Sequence, residues 1–260
     1  MSSARKLHVI TGGKYHDFNL ARLKLLRLMA EDDRIRATCA ESYSGVDRVA
    51  DFHGIVLYTC DLMPTDAEAA ALEAFASGGG RLLALHATSA PIEFTDGPVV
   101  DNGRVRIPGL VKEPLATTAP IFMNLLGSRF RSHLAYQPIE VNVADPDHEL
   151  TRGIVDFVVE DEPYVAAMLT TQVRVLLTAR YKGDAPGYEL SRFDDDSPRP
   201  QLYVKPHGKG GVVYCTLGHA CGRFDMQPLM EETTAVVGPW SSPAYQEILR
   251  RGIRWLTQAR

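Results

Sequence analysis

The sequence predicts an α/β protein built on a doubly wound, mostly parallel sheet with helices on both faces. Three observations favour this fold class. Apolar, strand-like runs alternate with helical patterns through the first half of the chain, with short connections between them. The run Gly54–Cys60 is apolar throughout, as expected of a strand that is covered on both faces. The first apolar run ends at Gly12 and Gly13, where a buried strand can turn tightly.

The first half is predicted to contain four strands and two helices. Leucines at positions 20, 23, 25, 26 and 28 place an apolar face on the first helix. The second helix begins after Thr65, since Glu68 three residues later completes a capping box. In chain order the elements are a strand at Lys6–Thr11, a helix at Asn19–Ala30, strands at Ile35–Ala40 and Gly54–Cys60, the helix capped by Thr65, and a strand at Arg81–Leu85.

The second half is predicted to hold short strands and one final helix, so that residues 1–260 form a single domain. The stretch 96–122 is rich in glycine and proline, and we interpret it as a loop insertion that lies over the functional site. The strands are predicted at Ile139–Val143, Phe157–Glu160, Val173–Thr178, Gln201–Lys205 and Gly211–Thr216, and the helix at Ala244–Gln258.

The composition excludes several classes of partner. The formal charge of −4, the pI near 6.1 and the lack of a basic run or of a basic patch interleaved with aromatic residues argue against nucleic acid and anionic membranes. No apolar stretch approaches the roughly 18 residues that a membrane span needs, and no leader sequence is recognisable. The four cysteines form no CxxC pair, which argues against a thiol redox centre. We therefore expect a cytoplasmic protein with a small-molecule ligand; the oligomeric state is left open, a homo-oligomer included.

Polar residues follow several of the predicted strands and indicate where the ligand binds. Ligands of open parallel sheets bind outside the carboxyl ends of the strands. Three histidines, His16, His86 and His219, occupy such strand ends and should converge on one crevice. A single histidine at a strand end often only caps a helix or bonds a carbonyl group, so their combination carries the prediction. The neighbouring residues predicted to line the site are Tyr15, Thr88 and Ser89.

Two further segments carry candidate residues. The run Glu160-Asp161-Glu162-Pro163-Tyr164 holds three carboxylates, one of which could have a raised pKa suited to general acid–base work. A solvated acidic turn is the alternative interpretation. His133 belongs to a small basic patch with Arg129 and Arg131, whereas His148 is interpreted as a turn residue.

Two common active-site types are not supported. The turn after the fourth strand has the sequence Leu85-His86-Ala87-Thr88-Ser89, which lacks the GxSxG pattern of serine hydrolases. Gly12-Gly13-Lys14 has neither the GxGxxG nor the Walker spacing of nucleotide sites.

Six segments together resemble the trehalose-utilisation (ThuA-like) family, which has a class I glutamine-amidotransferase-like fold. They are Thr11–His16, Leu82–Ala87, Leu126–His133, Asp145–Gly153, Glu160–Tyr164 and Gly208–His219. The resemblance implies a flavodoxin-like sheet and a role in disaccharide or keto-sugar metabolism. Where amidotransferase relatives carry a cysteine nucleophile this chain has His86, and their histidine base matches His219. Glutamine hydrolysis through a thioester is therefore not expected.

These residues suit two kinds of chemistry, which the sequence leaves open. His86 and His219, with Glu162 as an acid–base partner, could move a proton beside a keto group, as in a lyase or isomerase. Alternatively, a divalent metal could be bound by His16, His86, His133 or His219 and support hydrolysis. Tyr15, His16, Thr88, Ser89 and Tyr164 would line the sugar pocket. A non-catalytic sugar-binding or regulatory protein that kept the fold is the alternative function.

Overall fold

The structure, a computed structural model, describes residues 4–92, 99–101, 104–106, 117–188 and 190–258. Its first half follows the predicted alternation closely. The elements are β1 (Arg5–Gly13), α1 (Phe18–Met29), β2 (Ile35–Ala40), β3 (Gly54–Cys60), α2 (Asp66–Ser77) and β4 (Arg81–Leu85). The Thr65 side chain accepts from the backbone N–H of Glu68, and Glu68 accepts from the backbone N–H of Thr65, so the predicted capping box is present.

The described residues of the second half contain many short strands and two α-helices. Most of the predicted 96–122 insertion lies outside the described residues. The elements are β5 (Val99–Asp101), β6 (Arg104–Arg106), α3 (Pro120–Leu126), β7 (Ser128–His133), β8 (Gln137–Val143), β9 (Phe157–Asp161), β10 (Tyr164–Met168), β11 (Arg174–Ala179), β12 (Gly183–Asp184), β13 (Arg192–Phe193), β14 (Arg199–His207), β15 (Gly210–Cys215) and α4 (Pro243–Thr257).

Nine strands form the central sheet, in the order β2-β1-β3-β4-β15-β14-β11-β8-β9. From β2 to β15 the four neighbouring pairs are parallel, and from β15 to β9 the four pairs are antiparallel. The prediction of a mostly parallel sheet is therefore wrong for half of it. The reason is local: a parallel pair needs a long crossover, usually a helix, whereas β14 and β15 are joined by the two residues Gly208 and Lys209.

Helices cover both faces of the parallel half, as predicted. Alternate residues of each strand enter two separate cores; in β3, for example, Val56 and Tyr58 face one core and Ile55 and Leu57 face the other. Helices α1 and α4 cover the first face, and α2 and α3 cover the second. None of the helices among the described residues combines the length and apolar character that a bilayer span requires.

Candidate metal centre

Four titratable side chains meet at one edge of the sheet. His16 follows β1, His86 follows β4 and His219 lies four residues after the end of β15, and these three strands run in the same direction. Glu162 follows β9, which is four antiparallel pairings away from β15 and therefore runs in that direction too. Because all four strands end at the same edge, their loops bring three imidazoles and one carboxylate together.

Each of the three histidines has one buried ring nitrogen without a hydrogen-bond partner. His16 Nδ1 lies 3.2 Å from the carbonyl oxygen of Lys14, and His86 Nδ1 lies 2.8 Å from that of Thr216. A carbonyl can only accept, so these contacts assign the proton to Nδ1 and leave a lone pair on Nε2. Both Nε2 atoms and His219 Nδ1 are buried and have no hydrogen-bond partner.

Glu162 is the anion at the centre of this group. Its Oε2 lies 3.1 Å from His219 Nδ1 and 3.8 Å from His86 Nε2, in contacts that are electrostatic rather than aligned hydrogen bonds. Its Oε1 lies 3.8 Å from His133 Nδ1, which is itself 2.8 Å from the carbonyl oxygen of Leu134.

The charge states of His16, His86 and Glu162 suit metal ligation. Burial and the neighbouring His219 lower the pKa of His16 to about 3, and burial with the adjacent histidines lowers the pKa of His86 well below its ordinary value. Burial alone would raise the pKa of Glu162, but the imidazoles of His133, His219 and His86 hold it well below its ordinary value. Burial opposes the charge on His219, yet the Glu162 carboxylate raises the pKa of that imidazole.

The donor set fits a divalent transition metal. One ligand atom from each of His16, His86, Glu162 and His219 lies within 4.8 Å of the other three. Imidazole nitrogens with one carboxylate oxygen suit Zn²⁺ and the neighbouring first-row ions. The carbonyl groups of Lys14 and Thr216 orient two of the rings from behind, as outer partners of metal-bound histidines commonly do.

The backbone is strained where the site begins. Tyr15, Asp61 and His86 have φ angles of 70°, 51° and 49°, and they follow β1, β3 and β4. Left-handed conformations of residues other than glycine are uncommon and concentrate at functional sites. Here Tyr15 directly precedes the site residue His16, and His86 is itself a site residue.

Hydroxyl groups hold the His86 turn in place. Tyr214 Oη donates to the carbonyl oxygen of His86 at 2.7 Å and accepts from the backbone N–H of Ser89 at 3.1 Å, with Ser89 Oγ at 2.7 Å. Thr88 Oγ1 donates to the carbonyl oxygen of Leu85 at 2.7 Å. Thr88 and Ser89 are buried and do not line the cavity described below, so the structure places these predicted sugar-binding residues inside the turn.

Removing the hydroxyl of Tyr214 tests this arrangement. We expect Tyr214→Phe to destabilise the protein by about 2 kcal/mol, because the buried Ser89 N–H and His86 carbonyl group lose their partner. Urea unfolding followed by circular dichroism measures the change. An unchanged unfolding midpoint would show that the turn does not depend on this hydroxyl.

Asp161 organises the loop of His219 and was not selected from the sequence. Its carboxylate is fully buried and accepts from the backbone N–H groups of Gly218 at 2.7 Å, His219 at 3.0 Å and Glu162 at 2.8 Å. Burial raises its pKa to about 7. One of the three carboxylates at 160–162 was expected to have a raised pKa, and that carboxylate is Asp161. The main cause of the raised pKa is burial rather than repulsion between carboxylates.

A cavity of about 470 Å³ opens onto this cluster. His16, His219 and Glu162 line it directly, together with His133 and the predicted ligand-binding residues Tyr15 and Tyr164. His86 is fully buried and is not part of the wall; its ring lies 4.4 Å from that of Tyr164. The sequence did not indicate the remaining lining residues, which are Cys60, Ile92, Phe130, Pro186, Gly187, Tyr188, Met226 and Leu229.

One family model matches part of the chain. Residues 113–237, which include His133, Glu162 and His219, match the family model described as ThuA: Trehalose utilisation. No curated protein matches the sequence.

Solved structures show the fold. A protein of Bacteroides uniformis ATCC 8492 described as ThuA-like aligns with a TM-score of 0.65 at 16% identity, covering 98% of this chain and 93% of that one. A protein of Parabacteroides merdae ATCC 43184, also described as ThuA-like, has a TM-score of 0.61 at 17% identity, with 98% and 90% covered. A β-galactosidase from Bacillus circulans sp. alkalophilus aligns over 98% of this chain and 31% of its own, with a TM-score of 0.51 at 12% identity. The resemblance that the motifs indicated is confirmed: residues 113–237 match the ThuA family model, and the two structures described as ThuA-like share the fold.

Proposed function

We propose that this protein is a metal-dependent enzyme of carbohydrate metabolism that acts on a sugar or keto sugar. The observation that supports the proposal best is the cluster of ligand atoms from His16, His86, Glu162 and His219 beside the cavity. Buried polar atoms are normally satisfied, so three buried imidazole nitrogens without hydrogen-bond partners, close to a carboxylate, call for a ligand. The carbohydrate role rests on the trehalose-utilisation family.

A metal explains the position of His86 better than direct proton transfer does. His86 is fully buried, it is not part of the cavity wall, and its pKa lies well below the ordinary value. A general base must reach the proton that it removes, whereas a metal ligand needs to reach only the ion. In the proposal His86, His219 and Glu162, the predicted catalytic residues, therefore act as ligands together with His16.

In the proposal, the residues at the cavity have different roles in the reaction. A cation held by the four ligands would polarise a carbonyl or hydroxyl oxygen of the sugar as a Lewis acid. His133 lines the cavity and bonds the Leu134 carbonyl group through Nδ1, which leaves Nε2 as the atom that takes a proton from the carbon beside a keto group. Tyr15 and Tyr164 line the same space and offer ring faces and hydroxyl groups to a sugar.

A non-catalytic sugar-binding protein is the second candidate. The observation that favours it is His86 itself, which stands at the strained turn after β4 where amidotransferase relatives carry their nucleophile. Binding of a sugar without turnover of any keto sugar, with and without added metal, would favour this function over the enzyme.

The fold and cellular setting are also part of the proposal. The parallel half has the strand order β2-β1-β3-β4-β15, which corresponds to the 2-1-3-4-5 order of flavodoxin-like sheets. This order supports a flavodoxin-like fold with an amidotransferase-like core. Amidotransfer itself is not part of the proposal. Four free cysteines suit a reducing compartment such as the cytoplasm.

Turnover of keto-disaccharides tests the enzyme. We expect product from 3-keto-trehalose with the metal-loaded protein, and a fall in kcat/KM of at least about a hundredfold, equal to roughly 2.7 kcal/mol, in His219→Ala. His148→Asn is the matched control, because His148 lies in the 145–151 turn and accepts from the Leu150 N–H. Wild-type turnover by His219→Ala would contradict the assigned site.

A further inference from the structure

The cavity beyond the four ligands has one aromatic, largely apolar side. Cys60, Phe130 and Tyr164 belong to a buried cluster against which Ile92 and Tyr188 pack. The ring of Phe130 lies 4.9 Å from that of Tyr164 and 5.7 Å from that of Tyr188. This side offers ring faces to a ligand, with hydroxyl groups only on its tyrosines.

A second apolar part of the wall comes from the segment 222–237. The segment is folded on itself, since the N–H of Met230 bonds the carbonyl group of Met226 at 3.0 Å and the N–H of Thr233 bonds that of Arg223 at 2.8 Å. Met226 and Leu229, three residues apart, are its contributions to the cavity. Phe224 and Met230 of the same segment remain 54% and 43% exposed, an unusual density of apolar groups for a solvated loop.

The wall of this cavity therefore presents two kinds of chemistry to a ligand. His16, His133, Glu162 and His219 offer nitrogen and oxygen atoms to sugar hydroxyl or keto groups. The thioether of Met226 and the isobutyl group of Leu229 offer no hydrogen-bond donor and no strong acceptor. A second sugar ring placed against them would leave hydroxyl groups unpaired, which costs free energy.

We infer that the substrate is a glycoside with an apolar aglycone, the sugar lying at the His16–His86–Glu162–His219 cluster and the aglycone against Met226 and Leu229. The inference rests on the proposed function and adds the substrate class to it. The cavity of about 470 Å³ falls within the range of sites that enclose small ligands. A disaccharide such as trehalose, which carries hydroxyl groups on both rings, is expected to bind more weakly than such a glycoside and to be the poorer substrate.

Calorimetry with a matched pair of glycosides tests the inference. Phenyl glucoside and methyl glucoside share the sugar and differ only in the aglycone. Each glucoside and its 3-keto derivative are titrated into zinc-loaded protein. Trehalose is titrated for comparison. We expect the phenyl compounds to bind at least about tenfold more tightly, because apolar burial of a phenyl ring exceeds that of a methyl group.

A matched pair of variants tests whether Met226 causes the preference for the phenyl compounds. Met226→Gln keeps the length of the side chain and adds a polar amide at a partly exposed position, so it should reduce the phenyl preference to less than about threefold at unchanged metal content. Met230→Gln, on the same segment but outside the cavity, should leave the preference intact.

The possible results distinguish a failure of the apolar subsite from a failure of the proposed function. Equal affinity for the two aglycones, tighter binding of trehalose, or a preference that Met226→Gln does not change would overturn the apolar subsite and leave the carbohydrate enzyme standing. Failure of every sugar to bind would instead contradict the proposed function.

Discussion

Replacing His86 with asparagine is expected to abolish metal binding at the site. Wild-type protein, purified without chelator and dialysed against Zn²⁺, should retain about one equivalent, and His86→Asn less than a tenth of that, with affinity reduced by at least about a hundredfold. Asparagine is suitable because it tolerates the left-handed backbone that His86 adopts at φ 49°. Elemental analysis and competition with a chromophoric chelator measure occupancy and affinity.

Thermal unfolding provides an independent readout of the same variant. A ligand that binds only the folded state stabilises it, by about 2.7 kcal/mol at a free concentration of a hundred times Kd. Added Zn²⁺ should therefore raise the melting temperature of the wild type and of the control His148→Asn, but not that of His86→Asn. Stoichiometric zinc of wild-type affinity in His86→Asn would refute the metal centre.

Asp161→Ala is expected to be the most destabilising substitution at the site. The change removes the acceptor of three backbone N–H groups, those of Gly218, His219 and Glu162, in a fully buried position. Each buried donor left without a partner costs about 1–3 kcal/mol, so a loss of about 4 kcal/mol in the free energy of unfolding is expected. Metal affinity should fall as well, since two of these amides belong to ligand residues.

Urea unfolding of the metal-free protein separates this effect from metal binding. Glu160→Ala is the matched control, because Glu160 is exposed on the same strand and its removal should change stability by less than about 0.5 kcal/mol. Asp161→Asn should be intermediate, as asparagine keeps one acceptor oxygen but turns its NH₂ group toward another N–H donor. If Asp161→Ala unfolds at the wild-type urea concentration, Asp161 does not hold the His219 loop.

The parallel half of the fold could be predicted residue by residue because its signals are local. The bounds of β2, β3 and β4 agree with the predicted ones, and the capping box at Thr65 starts α2 as expected. A continuous apolar run of about seven residues, bounded by turn residues, is typical of a strand covered on both faces. The position of His16 and His86 at one sheet edge followed from this, since parallel strands end together.

The strand pair β7–β10, which lies outside the central sheet, was harder to predict because its strands have only six and five residues. Strand β7 has the sequence Ser-Arg-Phe-Arg-Ser-His with a single large apolar residue, Phe130, and β10 follows the acidic run directly. Their pairing, which brings His133 opposite Tyr164, depends on residues far apart in the chain. No pattern within either segment identifies the partner strand.

The sequence by itself determined that histidines lie at the ends of parallel strands, because the chain there alternates strand and helix with short turns. Only the tertiary structure decided which atoms of these histidines are free, since Nδ1 of His16 and His86 is occupied by carbonyl groups of Lys14 and Thr216. It also decided that Glu162 joins them from β9, four strand pairings away from β15. The local sequence pattern determines where a strand ends. Which histidine nitrogen keeps its lone pair, and where that lone pair points, depends on contacts between segments that are distant in the chain.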